Sequence, residues 1–183
     1  MNRLNRETPH RVPTQPGVRV TVRFAVPEGG TRDVVGFVLG ADDSTMIVLD
    51  RHGTEHTIVR ADIVAGHRVP VSRGRDPLRM PTDLLDAMAE RTGVRGRRFV
   101  IRLFDLLDGL EPPATVTAPE VATTDGEWVT ADASEPLEAV GWWAARSGVR
   151  SMQVRTDDPA VAERLLARGF RELMPAPEPR TLH

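Results

Sequence analysis

The feature that most constrains this chain is a period of two near its start. Val18, Val20, Val22, Phe24 and Val26 alternate with Arg19, Thr21, Arg23 and Ala25. Successive strand side chains point to opposite faces, so the spacing predicts a strand with one apolar and one mainly polar face. Pro27-Glu28-Gly29-Gly30 supplies a turn. Similar short runs follow at Asp33 to Leu39, Met46 to Leu49, Glu55 to Val59 and, after one helical turn over Arg60 to Val64, at Arg68 to Val71. Gly36, inside the second run, is a candidate bulge or sharp bend. Five short strands so closely spaced predict a small closed β-barrel over residues 17–71, because closure removes the exposed edges of so small a sheet. Residues 1–16, with three prolines and no apolar periodicity, are expected to be a disordered lead.

The pattern changes after Val71. Ser72 to Glu111 opens with a linker composition and then predicts a helical connector. Thr82 or Met80 would cap a helix turning Leu84, Leu85 and Met88 inward and stopping at Gly93. A second helix is predicted over Arg97 to Leu110, with Phe99, Val100, Leu103, Leu106, Leu107 and Leu110 on one stripe. A strand over Phe99 to Phe104 is the competing reading, since short apolar runs fit both periods. Residues 112–174 predict a small α/β unit. Ala114 to Val121 and Glu127 to Ala131 would pair as a hairpin, and Ser134 would cap a helix burying Leu137, Val140, Gly141 and Ala144. Ser151 to Arg155 reads as a strand, and Asp158-Pro159 as the cap and first residue of a helix with Val161, Leu165 and Leu166 inward. Gly169 ends that helix and Phe170 begins the last strand, while residues 175–183, rich in proline, read as a tail. The fold class expected is α+β: barrel, helical connector, small α/β unit.

Composition narrows the chemistry. With 183 residues, the chain is one ordinary domain or two small ones. No apolar run has the length of about 18 residues that a spanning helix needs, and the start lacks the apolar stretch of a secretory signal, so a cytoplasmic, non-membrane protein is expected. Cysteine and tyrosine are absent, and all 24 basic residues are arginine. Disulfides, cysteine nucleophiles, thiolate metal sites, Schiff-base or phosphate-loop lysines and tyrosine proton donors are therefore excluded. Charge divides modestly along the chain, with 17 Arg against 14 acids in residues 1–110 and 7 against 12 in 111–183. That asymmetry suggests two units with different surfaces.

Few motifs carry chemistry. His52-Gly-Thr-Glu-His56 matches H-x-x-E-H, but two histidines four apart converge on a metal only at helical pitch, and Gly53 and the flanking residues read as a hairpin. No metal site is therefore assigned. Asp42-Asp43 and Asp157-Asp158 read as turn and cap residues. No G-x-S-x-G or G-x-G-x-x-G stretch occurs, and no catalytic residue is assigned. Arg68, Arg73, Arg75 and Arg79, with Arg91, Arg95, Arg97 and Arg98, form the densest basic stretches, and Arg73, Arg75, Arg79, Arg95, Arg97 and Arg98 among them are candidate anion-binding residues, because guanidinium forks match phosphate oxygens. Their alternative is a solvated rim. No aromatic residue is interleaved among them, so a base-stacking platform for nucleic acid is not favoured. Trp142-Trp143 are candidate interface anchors, core packing being the alternative.

Two stretches resemble one family. Residues 12–71, with the Val18 to Val26 strand, Asp33-Val-Val-Gly36 and Arg60-Ala-Asp-Ile-Val64 leading into Val69-Pro70, resemble the SH3-like barrel that precedes certain bacterial GNAT, or histone-acetyltransferase-like, proteins. Leu137 to Arg146, Met152-Gln-Val154 and Leu165-Leu-Ala-Arg-Gly-Phe170 resemble part of the acetyltransferase portion of the same proteins. The resemblance implies an SH3-like barrel followed by an incomplete GNAT-like unit. Members of that family cradle the pyrophosphate of acetyl-CoA on amides at a helix start, using Q/R-x-x-G-x-G/A. In this chain no Arg or Gln is followed by Gly three residues later, and the tyrosine acid common in the family is missing. The reading that results is a non-catalytic module binding a protein partner or itself, without a cofactor. A divergent N-acetyltransferase using acetyl-CoA is the alternative, and nucleic-acid binding through the barrel and arginines a second one.

Overall fold

The alternating run becomes strand β1 (Arg19–Ala25), with Val18, Val20 and Val22 almost wholly removed from solvent. In the computed structural model, which describes residues 12–174, β1 lies between β2 (Thr31–Ala41) and β5 (Ile63–Arg68). Strands β3 (Thr45–Asp50) and β4 (Glu55–Val59) extend the sheet beyond β2, giving the order β4-β3-β2-β1-β5. Every neighbouring pair is antiparallel.

This order corrects the expected closed barrel, because no ladder joins β4 to β5 among the described residues. A 3-10 turn at Arg60–Asp62 carries the chain out of the β4 ladder and across to β1, so β5 also begins earlier than the predicted Arg68. Gly36 is not the bulge. The register shifts between Val38 and Gly40, whereas a Cβ on Gly36 would stand 2.1 Å from the Leu49 carbonyl oxygen. Val12 belongs to this core rather than to a lead, and it fills the space over Gly66, where a Cβ would lie 2.7 Å from a Val12 methyl. Residues 1–11 of the predicted lead and the tail at 175–183 lie outside the described residues.

The chain separates into two units. The first comprises the residues up to Pro70 with Glu111–Thr115; the second comprises Val71–Leu110 and the residues from Val116. The predicted strand over Ala114 to Val121 does not form. The second unit holds α1 (Thr82–Thr92), β6 (Arg97–Arg102), α2 (Leu103–Leu106), β7 (Ala122–Asp125), β8 (Trp128–Asp132), α3 (Leu137–Arg146), β9 (Ser151–Thr156), α4 (Pro159–Ala167) and β10 (Arg171–Glu172). Its sheet runs β10-β6-β9-β8-β7, with β8 and β9 parallel across the α3 crossover. The fold among the described residues is thus mixed α+β, with two five-stranded sheets and four helices.

The largest departure from expectation is at Arg97 to Leu110, where a strand and one helical turn replace the predicted long helix. Phe99, Val100 and Ile101 are consecutive and all buried, which a surface helix with one apolar stripe does not allow. A central strand covered on both faces does. The expected connector therefore supplies a sheet strand. Two helix starts also differ. Pro81 and Pro136 precede α1 and α3 with no side-chain cap, and Ser134 instead donates its hydroxyl to Asp132. Asp158 caps α4 as predicted, accepting from Ala160 N at 2.8 Å, and Gly93 takes the left-handed conformation that closes α1. Leu85 and Met88 of α1 and Leu165 of α4 are buried, but Leu84 and Leu166 are each 49% exposed, outside the apolar faces assigned to them.

Candidate functional site

The second sheet has two unlike faces. Directly opposed residues share a face, and the register sets Arg98 against Arg155 and Gln153 against both Val100 and Thr130. Helix α1 contributes Leu85 and Met88 to an apolar cluster with Val100 and Trp128 over this face. Polar side chains are enclosed nearby. Arg98 and Arg155 each donate from Nη2 to the same Asp86 oxygen at 2.5 Å. Gln153 donates to the Leu85 carbonyl and to the Thr130 hydroxyl, both at 2.8 Å. Burial alone would raise the Asp86 carboxyl, but hydrogen bonds from Arg155 and Arg98, with their charges, hold it below the ordinary carboxylate value. Two guanidinium groups on one carboxylate leave an excess positive charge, and Arg98 Nε, Arg155 Nε and Gln153 Oε1 have no partner among the described residues.

Beside this network, α1, the 3-10 turn Pro77–Arg79 and the β7–β8 hairpin enclose an open pocket of about 860 Å³. Met80, Leu84, Met88 and Trp128 supply apolar lining, and Arg75, Arg79 and Arg91 supply charge. Asp76 sets the backbone that carries the first two arginines. Its carboxylate accepts from Leu78 N at 3.2 Å, and its carbonyl accepts from Arg79 N at 3.1 Å. The lining carboxylates already have arginines: Asp76 faces Arg171 at 3.7 Å and Arg102 at 4.0 Å, Glu127 pairs with Arg150 at 3.2 Å, and Asp125 pairs with Arg91. Among the described residues no carboxylate pairs with Arg75 or Arg79. Ser151, 4% exposed, also lines the pocket.

The six arginines singled out from the sequence are not brought to one place. Arg75 and Arg79 share the pocket. Arg73 lies over the Phe104 ring, 5.2 Å from its centroid; Arg97 lies over Phe99 and pairs with Glu172; Arg98 is buried on Asp86. Arg95 is exposed between α1 and β6. Sequence reading placed Arg91 in the same basic stretch as Arg95 but passed over Trp128, Ser151 and the Asp86–Arg155 pair, although an arginine within a strand, β9, is a signal that something must neutralise it. Trp142 is 9% exposed and so is part of the interior, while Trp143 is only partly covered. His52 sits in the β3–β4 turn and His56 on β4, its Nε2 2.9 Å from Asp50 Oδ2. Among the described residues no His, Asp or Glu group is arranged to hold a metal ion, and no helix is long and apolar enough to cross a membrane.

The β8–α3 connection is lined with acids. Asp132 Oδ1 accepts from the Ser134 amide at 2.9 Å and from its hydroxyl at 2.6 Å, and Glu135 Oε1 accepts from the Val121 amide at 2.7 Å. Glu138 stands in the first turn of α3 and pairs with Arg168. Comparison with protein-family models, with curated proteins and with solved structures found no match to this chain.

Proposed function

We propose that the protein is a non-catalytic, cytoplasmic protein-interaction module related to SH3-containing GNAT acetyltransferases, its first unit SH3-like and its second an incomplete GNAT-like unit. The observation that carries the non-catalytic half is the start of α3. In the family it resembles, the corresponding helix start binds the acetyl-CoA pyrophosphate, and amides there must be free and the local charge favourable to an anion. Here Asp132 and Glu135 precede that start and Glu138 stands in its first turn, so the local charge there disfavours an anion. A pyrophosphate would meet carboxylates where it needs donors.

The interaction half is supported by the first sheet, which ends in β4 and β5, each with one side unpaired among the described residues. Val59 at the end of β4 and Val64 on β5 are 49% and 59% exposed. Such edges are templates for an added strand.

Thermal-shift titration with acetyl-CoA and CoA tests the first half, since a ligand bound only by the folded state raises the melting temperature by mass action. No shift up to millimolar concentration is expected; a concentration-dependent rise would return the protein to the acetyltransferases. Sedimentation of the purified chain, alone and with partners recovered from extract, tests the second half. A strictly monomeric species with no recoverable partner overturns it.

A further inference from the structure

We propose that the pocket between α1 and the β7–β8 hairpin is a binding site for an amphipathic organic anion, a carboxylate or phosphate monoester head on an aliphatic body. The inference is independent of the interaction reading above. Its volume of about 860 Å³ falls in the range of roughly 300–1,000 Å³ usual for small-ligand sites. Met80, Leu84, Met88 and Trp128 give it an apolar lining, and Leu84 is 49% exposed there although its neighbour Leu85 is fully buried. An aliphatic chain would remove that surface from water.

Charge selects the head group. The three lining carboxylates, Asp76, Asp125 and Glu127, are each engaged by an arginine, which leaves Arg75 and Arg79 as the pocket charges without a carboxylate among the described residues. Both stand on a short backbone segment held by the Asp76 cap, so little ordering is required of the main chain when an anion arrives. Guanidinium groups bind carboxylate and phosphate oxygens through paired N–H donors, which suits either head. Ser151, itself 4% exposed, brings a hydroxyl to the lining of the same cavity.

The test is isothermal titration of the full chain with decanoate, decyl phosphate, decanol and inorganic phosphate, each below its aggregation limit. Decanoate or decyl phosphate should bind with one site per chain, and their relative affinity identifies the head. Decanol, lacking the charge, and inorganic phosphate, lacking the body, should each bind at least about tenfold more weakly. The Arg75→Gln/Arg79→Gln double variant should weaken the preferred ligand by at least about tenfold, in line with the loss of charge-assisted hydrogen bonds. Both side chains are exposed, so this variant should keep its melting temperature. The Arg95→Gln variant, altered outside the pocket, should bind as the parent does. In an indole-region NMR titration the Trp128 N–H signal should move with ligand. Equal binding of decanol or of inorganic phosphate, an unaffected double variant, a stationary Trp128 signal, or no heat with either amphiphile up to millimolar concentration would each overturn the proposal.

Discussion

The two sheets of this protein are built on different principles. The first encloses Val18, Val20, Val22, Val34, Val38, Met46, Val48 and Ile58, a cluster without a polar side chain. The second buries a similar apolar set, but also encloses Arg98, Thr130 and Gln153 on one of its faces. An aliphatic core is stabilised by area removed from water and tolerates volume-conserving exchange. A polar layer depends on each donor finding its acceptor, and loss of one partner strands the others. Close backbone approach should therefore be the weak point of the first sheet, and the single carboxylate of Asp86 that of the second.

The sharpest break of this contrast should come from Gly36→Ala. Its methyl would press on the Leu49 carbonyl, which belongs to the neighbouring strand and cannot rotate away. We expect a loss of about 3 kcal/mol, the upper part of the usual cost of overpacking. Trp128, Trp142 and Trp143 all lie in the second unit, so the effect should appear in far-UV circular dichroism during urea unfolding and spare the tryptophan fluorescence transition. A fluorescence midpoint that falls equally would show that the two cores do not unfold separately.

Asp86→Ala should act on the other signal. It leaves Arg98 and Arg155, with side chains 4% and 11% exposed, without a counter-charge. Removing one partner of a fully buried pair costs about 3–5 kcal/mol, and since the Asp86 side chain is 48% exposed we expect about 2 kcal/mol, read as a lower fluorescence midpoint. Replacing the whole cluster as Arg98→Met/Asp86→Leu/Arg155→Met should recover most of that loss. A triple variant less stable than Asp86→Ala would mean that the ionic cluster contributes through geometry that apolar packing does not replace.

The smallest effect lies on the first unit. Asp50 is held down to about 2, first by the hydrogen bond from His56 and then by the Thr54 amide. An unfolded aspartate titrates near 3.9, so this group's stabilisation is complete above about pH 4 and disappears as pH falls through 2. The melting temperature of Asp50→Asn should lie below that of the parent at pH 5, and the gap should close between pH 4 and 2. A gap independent of pH would remove the ionised carboxylate from the explanation.

Elements governed by local chemistry were legible in the sequence: β1 from its alternation, β4 from its bounds, α4 from Asp158-Pro159, and the end of α1 from Gly93. Each rests on side-chain period, a cap or a left-handed glycine, which neighbouring residues decide. The pocket was legible only in part. Arg75 and Arg79 stood out by density, but nothing near them in the chain indicated Trp128 or Ser151 as companions.

What remained was decided by tertiary structure. Residues 97–102 satisfy both helical and strand readings, and the choice fell to strand because β9 and β10 offer ladders on either side. Likewise, Leu103, Phe99 and Ile101 are buried by elements remote in sequence. By itself the sequence determined the periods, the turns, the absence of thiol, lysine and phenol chemistry, and the two-part division of composition. Only tertiary structure decided which arginines are neutralised and which remain available, because a charge is compensated by groups within a few ångströms, and chain distance says little about those.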